Sequence, residues 1–256
     1  MERKIMLNIF TKELRKDIHY PGWKREETPY TVRHISEHNE HGFVLFSNLN
    51  KQNIHSVIQD ELNFFNSINQ PFEWKVFDYD QPENLIEALT EYGFEVENKE
   101  ALMVLDIEES TELLSYEFSP NIFQITDEKG IRDLMELEGK IWKTDHQELG
   151  DRLIRDLKAN DGNLYIYASY VDGKAVSGAW MYLERGTSFG SLWGGSTLPE
   201  FRGKGLYTSL IAIRAQKARE LGYRFLTVDA SPMSQPILEN KGFKCLAYST
   251  PCQSPK

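Results

Sequence analysis

Read for the alternation of apolar and polar positions, the second half of the chain divides clearly. Residues 121–127 alternate as a short strand. In 128–142, Ile131, Leu134, Leu137 and Ile141 recur at steps of three and four, the stripe of an amphipathic helix. Residues 146–160 predict a second helix. Two β-rich runs, 164–171 and 174–185, flank Asp172-Gly173, a strong hairpin signal, and 187–198 predict a third strand. Leu206 to Leu221 predict a long helix with Leu206, Leu210, Ile213 and Leu221 on one face, stopped by Gly222. Residues 224–230 read as a compact buried strand. Pro232 opens and Gly242 closes a short helix, and 243–249 form a last strand. The order β-α-α-β-β-β-α-β-α-β predicts an α/β (α+β) fold with a parallel crossover across 202–230.

The first half is less regular. Residues 42–49 and 72–80 read as strands. The helix between them carries Ile54, Val57, Ile58, Leu62, Phe65 and Ile68, and 82–93 form a helix with Pro82 first and Gly93 last. Residues 94–107 give one or two further strands. The two halves share an arrangement of strand, proline, helix and Gly-Phe: Pro82 to Gly93-Phe94 in one, Pro232 to Gly242-Phe243 in the other. This suggests an internal repeat with a boundary near 108–120.

The 256 residues, 40% hydrophobic, suffice for one large domain or two ordinary ones with a proper core. The first thirty residues hold no long apolar run, which argues against a signal peptide or N-terminal anchor. No segment approaches the ~20 apolar residues of a membrane helix. The only cysteines, Cys245 and Cys252, form no C-x-x-C pair, so a reducing, cytoplasmic setting is expected. A net charge of −10 argues against nucleic acid as partner. Yet from Arg202 to Arg224 six basic residues face one acid, a window of +5 that leaves −15 for the remainder. Such a local positive island suits either a small polyanion or a solvated basic helix face.

The island begins at Arg202-Gly203-Lys204-Gly205, where a predicted strand runs directly into a helix. A helix N-terminus leaves backbone N–H groups unpaired and carries about half a positive charge. Two glycines let a bulky anion approach that backbone, and Arg202 and Lys204 add full charges. The expected occupant is a pyrophosphate. A Walker A loop is ruled out because Lys204 precedes Gly205 and no Ser or Thr follows. A dinucleotide fingerprint lacks its last glycine at Thr208.

Arg202 to Tyr207 instead resembles the R-x-x-G-x-G/A loop of the GNAT acyltransferase superfamily, except at its last place. The block 197–211, the helix ending in Gly222-Tyr223, the strand 225–231 and the terminal 236–243 follow in that family's order, and the resemblance covers about Asn121 to Gln253. It implies a GNAT fold, with a mixed central sheet flanked by helices, in tandem: a degenerate lobe in 1–115 and an acetyl-CoA-binding lobe in 120–256. It implies transfer of an acyl group, usually acetyl, from acetyl-CoA to an amine of a small molecule or peptide, with no metal. Backbone groups at Gly195, Ser196 and Thr197 would pair with pantetheine. Arg202, Gly203, Lys204, Gly205, Leu206, Tyr207 and Thr208 would hold the pyrophosphate.

Two positions depart from the family pattern. Leu238 stands where an acid tyrosine is frequent, and Ser231 stands where an asparagine often contacts the cofactor. Asp229 is the candidate catalytic base; it reads equally as a turn or capping carboxylate before Pro232. A coenzyme A-binding sensor or scaffold without chemistry is the alternative function. The first-half helix at Ile54 follows a segment without glycine, so no pyrophosphate seat is expected there. His34, His38 and His41 are spaced for one helix face; solvated histidines fit as well as a metal set. Trp142, Asp145 and His146 lie between the helices that wall the acceptor in such folds, or serve as core and cap. Trp193 flanks the splayed strand, with packing on the acceptor or in the core both open.

Overall fold

A computed structural model describes residues 1–38, 40–159 and 161–255. Asn160, the last residue of the second predicted helix, lies outside them. In chain order the elements are α1 (Arg3–Phe10), β1 (Trp23–Glu27), β2 (Thr31–Ser36), β3 (Gly42–Ser47), α2 (Ile54–Ser67), β4 (Phe72–Phe77), α3 (Leu85–Glu91), β5 (Glu95–Val96) and β6 (Glu100–Asp106). There follow α4 (Thr111–Leu114), β7 (Ile122–Ile125), α5 (Glu128–Trp142), α6 (Gln147–Ala159), β8 (Leu164–Val171), β9 (Lys174–Leu183) and β10 (Phe189–Thr197). The chain ends with α7 (Leu206–Glu220), β11 (Phe225–Ala230), α8 (Gln235–Glu239) and β12 (Lys244–Gln253). The mixed α/β class and the element order of the second half are those the pattern predicts.

By packing, the chain divides into two compact units, Met1–Val104 with Asp229–Lys256, and Leu105–Val228. In the first unit the strands run β1-β2-β3-β4-β12-β6, with β5 on β12. Its β3 and β4 are parallel and joined through α2. The core gathers Ile54, Val57, Ile58, Leu62 and Phe65 of α2 against Phe72, Trp74 and Val76 of β4. Ile68, expected on the same stripe, is exposed.

In the second unit the order is β11-β10-β9-β8-β7. Asp172 and Gly173 take φ of 49° and 74°, the left-handed pair that a tight hairpin needs between β8 and β9. Ile131, Leu134 and Leu137 of α5 are buried against Ile166 and Trp180. β10 and β11 are parallel and joined through α7, the expected crossover. Each unit therefore contains a strand, helix and parallel strand in sequence.

Several expectations change. Residues 1–38 hold α1, β1 and β2, which the apolar pattern left unread; Met6, Phe10 and Leu14, four apart, are buried there. His34 sits on β2, not on a helix, so the three histidines do not share a helix face. Its Nε2 meets Ile18 O at 3.1 Å, and burial drops its imidazole to about 4. On α7 the buried face is Leu210, Ile211, Ala215 and Ala218, whereas Leu221 is exposed. Alanines pack a helix closely onto a sheet and dilute the stripe that larger residues would show. The short helix α8 starts at Gln235 rather than Pro232, because Ser231 O first accepts from Ser234 N in a turn. Both cysteines are free thiols, with Cys252 in the core. Among the described residues no helix is long and apolar enough to cross a membrane.

Candidate active site

The site is built on β10. Its pairing with β9 runs regularly to Gly194 opposite Ala179 and resumes with Ser196 opposite Gly178, leaving Gly195 as the extra residue of a bulge. Gly194 and Gly195 have φ of 68° and 88°, which side-chain-bearing residues avoid. On its other edge β10 pairs with β11 only over Phe189–Ser191. Beyond that the strands part, and the backbone edge from Leu192 to Thr197 is not laddered to β11. This is the splay that the resemblance implies.

What holds the bulge is a buried arginine from α7. Arg214 donates through Nη1 to Trp180 O at 2.9 Å and to Trp193 O at 3.3 Å, and through Nε to Leu210 O at 2.9 Å. Burial pulls its guanidinium down to about 10, with Tyr207 and Tyr167 opposing. It remains a cation at neutral pH and satisfies carbonyls at the parting. Ser177 Oγ donates to Ser196 O at 2.9 Å and lies 2.7 Å from Thr197 Oγ1.

From Thr197 the chain passes through a single turn at Pro199–Phe201 into Arg202-Gly203-Lys204-Gly205 and α7. Arg202 Nε donates to Thr197 O at 3.1 Å, tying loop to strand. Gly203 and Gly205 have φ of 72° and 78°, and a Cβ at Gly203 would meet nothing within 4 Å. A Cβ at Gly195 would meet Tyr207 Cε2 at 2.9 Å, so the Tyr207 ring lies on the bulge. Lys204 Nζ stands 4.7 Å from the Phe201 ring centre. Residues 202–205 are exposed. Among the described residues, no hydrogen bond is made by the backbone N–H groups from Gly203 to Thr208; the first amide engaged is Ser209, on Gly205 O at 2.9 Å. Free amides, dipole, open glycine and two cations fit a polyanion at this place.

The structure thus brings Gly195, Ser196 and Thr197 together with Arg202 to Thr208. Asp229 and Ser231 pack within the first unit. Asp229 Oδ2 receives Lys75 Nζ at 2.6 Å, and Ser249 Oγ lies 3.5 Å from its Oδ1. Burial works against the Lys75 charge, but Asp229, Glu73 and Glu100 outweigh it and raise its pKa. Ser231 belongs to the turn ahead of α8. Leu238, at the place of the frequent tyrosine, is buried.

Sequence reasoning passed over Glu138 and Arg214. Glu138 is 3% exposed, its Oε2 accepts from Ser196 Oγ at 2.9 Å, and Ser196 Oγ in turn accepts from Trp142 Nε1 at 3.2 Å. Burial raises the Glu138 pKa, with Ser196 and Trp142 opposing. A signal was present: Glu138 falls on the apolar stripe between Leu134 and Ile141, and Arg214 follows Leu210 by four. A charge on an apolar face marks a buried polar role.

Residues 131–243 match the acetyltransferase (GNAT) family. This segment is a GNAT domain. The whole chain also matches solved GNAT folds. One is a GCN5-related N-acetyltransferase from Kribbella flavida, at TM-score 0.67 and 13% identity, covering 99% of this chain and 94% of that one. A functionally unknown conserved protein from Staphylococcus epidermidis matches at TM-score 0.69 and 15% identity, covering 96% and 98%. A tandem GNAT protein from the clavulanic acid biosynthesis pathway matches at TM-score 0.62 and 13% identity, covering 93% and 86%. No curated protein matches the sequence. At these identities the structures speak for the fold alone.

Proposed function

We propose that this protein transfers an acyl group, acetyl by preference, from acyl-coenzyme A to a primary amine. In this reading the coenzyme-binding lobe is 120–256 in sequence, with Asp229–Lys256 packed in the first unit, and 1–115 is a degenerate copy. The observation that carries the reading is the open amide cradle of Gly203 to Thr208 beside the splayed edge of β10. The pyrophosphate of the co-substrate would take those amides with Arg202 and Lys204. The pantetheine amides would complete the strand edge at Gly195, Ser196 and Thr197, and Ser231 is the further expected contact.

The acceptor nitrogen attacks the thioester carbonyl directly. A backbone N–H on β10 stabilises the oxyanion, and the thiolate leaves. A thiol of pKa near 8.5 needs little help in leaving, so a leucine at 238 is compatible with turnover. The amine proton needs an acceptor, for which Asp229 is the candidate read from sequence.

Calorimetric titration with acetyl-CoA tests the reading. The wild type is expected to bind, and the double variant Gly203→Glu, Gly205→Glu to show at least a hundredfold weaker binding, since two carboxylates would occupy the anion seat. Equal binding by both removes the loop from the argument. Binding without thiol release for any amine would favour the second reading, a coenzyme A-binding sensor, which the buried Leu238 motivates.

A further inference from the structure

Glu138 is a buried carboxylate of α5 whose chemistry is unspent. Its Oε2 is engaged by Ser196 Oγ, but Oε1 is buried without a hydrogen-bond partner. A buried carboxylate oxygen left unpaired costs about 1–3 kcal/mol or more, so an α5 that wanted only packing would carry an apolar residue here. The titratable group acting on it from its surroundings is His146, in the connection between α5 and α6, with Thr144 Oγ1 3.0 Å from the imidazole Nε2.

The setting is aromatic. Trp142 reaches Ser196 from the end of α5, and its ring is 54% exposed. Residues opposite one another on antiparallel strands share a face. Ser196 stands opposite Gly178, where a Cβ would strike Leu134 of α5, and Trp193 stands opposite Trp180, which packs with α5. Ser196 and Trp193 therefore lie on the α5 side, one register step apart across the bulge. Trp193 is 51% exposed. Two half-exposed indoles on the α5 side of β10, one of them bonded to the serine that Glu138 holds, fit an organic ammonium: the rings attract the cation and cover its apolar body, and the carboxylate takes its charge.

Resting on the proposed acyl transfer, we infer that Glu138 is the catalytic proton acceptor and that Trp142 and Trp193 select an arylalkyl or alkyl amine over a polyhydroxylated one. The amine arrives as R–NH3⁺ and gives one proton to Glu138 Oε1. Its freed lone pair forms the C–N bond, the C–S bond breaks, and its electron pair leaves on sulfur. The surplus proton on the new amide nitrogen passes to the thiolate, and Glu138 later releases its proton to solvent. The raised pKa keeps the carboxylate a stronger base than a solvated one.

The test measures thiol release from acetyl-CoA with 2-phenylethylamine, n-butylamine and glucosamine, across pH 5 to 9, on the full chain. The wild type is expected to prefer phenylethylamine over glucosamine by at least about tenfold in kcat/KM, with an acid limb set by Glu138. Glu138→Gln keeps the Ser196 bond and is expected to lose about a hundredfold in kcat and to lose the acid limb, while its acetyl-CoA affinity by calorimetry stays within twofold. If Gln at 138 prevents folding by circular dichroism, Glu138→Asp is read instead and is expected to retain a displaced acid limb. Wild-type rates and an unchanged limb in either folded variant would overturn the assignment, as would loss of the limb in Asp229→Asn but not in Glu138→Gln. Acetyl-CoA binding with glucosamine preferred, or with no amine acetylated, overturns the substrate class while leaving coenzyme binding intact. A wild type that does not bind acetyl-CoA at all refutes the proposed function and this inference with it.

Discussion

Glu184 offers a quantitative test of how the second unit treats charge. It follows β9 and closes the hairpin to β10: its N–H donates to Phe189 O at 3.0 Å, and its carbonyl accepts from Thr187 Oγ1 at 2.7 Å. Its side chain is buried and accepts from Ser191, with Tyr182 and Tyr223 as the titratable neighbours. Burial pushes the carboxyl up from 4.5 to about 7. Between those values the folded chain holds a proton that the unfolded chain has released, so stability falls as pH rises through this window and levels off above about 7. At ~1.4 kcal/mol per tenfold change in proton affinity, the loss amounts to about 3 kcal/mol. Glu184→Gln keeps size and hydrogen-bonding capacity but never ionises. Urea unfolding of both proteins at pH 5, 6, 7 and 8 would measure the difference in ΔG, in which the other titrating groups cancel. The variant is expected to gain on the wild type by about 2.5 kcal/mol from pH 5 to pH 8, most of it between pH 5 and 7. A difference constant within about 0.5 kcal/mol across the series would show that the carboxyl is not desolvated as described.

Two further substitutions probe what holds each unit. Arg214→Met is expected to lower stability by about 2–5 kcal/mol, because Trp180 O and Trp193 O lose their buried donor, each at about 1–3 kcal/mol; a melting temperature within a degree or two of wild type would contradict the role given to Arg214. In the first unit Arg15 meets Asp80 through two bonds of 2.8 Å, with side chains 2% and 4% exposed. Asp80→Ala leaves that guanidinium buried and uncompensated and should cost about 3–5 kcal/mol in denaturant unfolding, whereas a loss under 1 kcal/mol would mean that the pair contributes little.

The second half was legible because its signals are local. Asp172-Gly173 demands a tight turn, the stripe of α5 repeats at helical spacing, and Gly203 and Gly205 strip a helix start of side chains. The splay of β10 from β11 concerns where two strands stop pairing, which only the resemblance supplied, and the bulge at Gly195 is a shift in the β9 register that no local signal announced. The first 38 residues were opaque because strands β1 and β2 carry many charged residues, including Lys24, Arg25, Glu26, Glu27 and Arg33. Arg33 lies 3.3 Å over the Phe64 ring and pairs with Glu26 and Glu61. Such charges read as solvated loop until their partners are known. Asp229 was singled out because it sits at a strand end near the motif; that its partner is Lys75, 154 positions earlier, is a matter of strand pairing.

The two helix starts at equivalent places in the two crossovers explain why one unit is expected to bind and the other is not. α2 and α7 each link a strand to a parallel neighbour. At α2 the turn is closed by asparagines: Asn50 Oδ1 accepts from Gln52 N at 2.8 Å and Asn53 N at 3.1 Å, and Asn53 Oδ1 accepts from Asn50 N at 2.8 Å. Ile54 N and Val57 N then bond to Asn50 O and Asn53 O. The amides of Asn50, Gln52, Asn53 and Ile54 are thus taken by the chain itself, which among the described residues leaves only His55 and Ser56 open in the first turn. At α7 two glycines of positive φ replace those side chains, and the equivalent amides from Gly203 to Thr208 are left open. Neither helix start carries a side-chain cap, so α7 differs in its two positive-φ glycines and two neighbouring cations, which leave more of its backbone amides open to an anion.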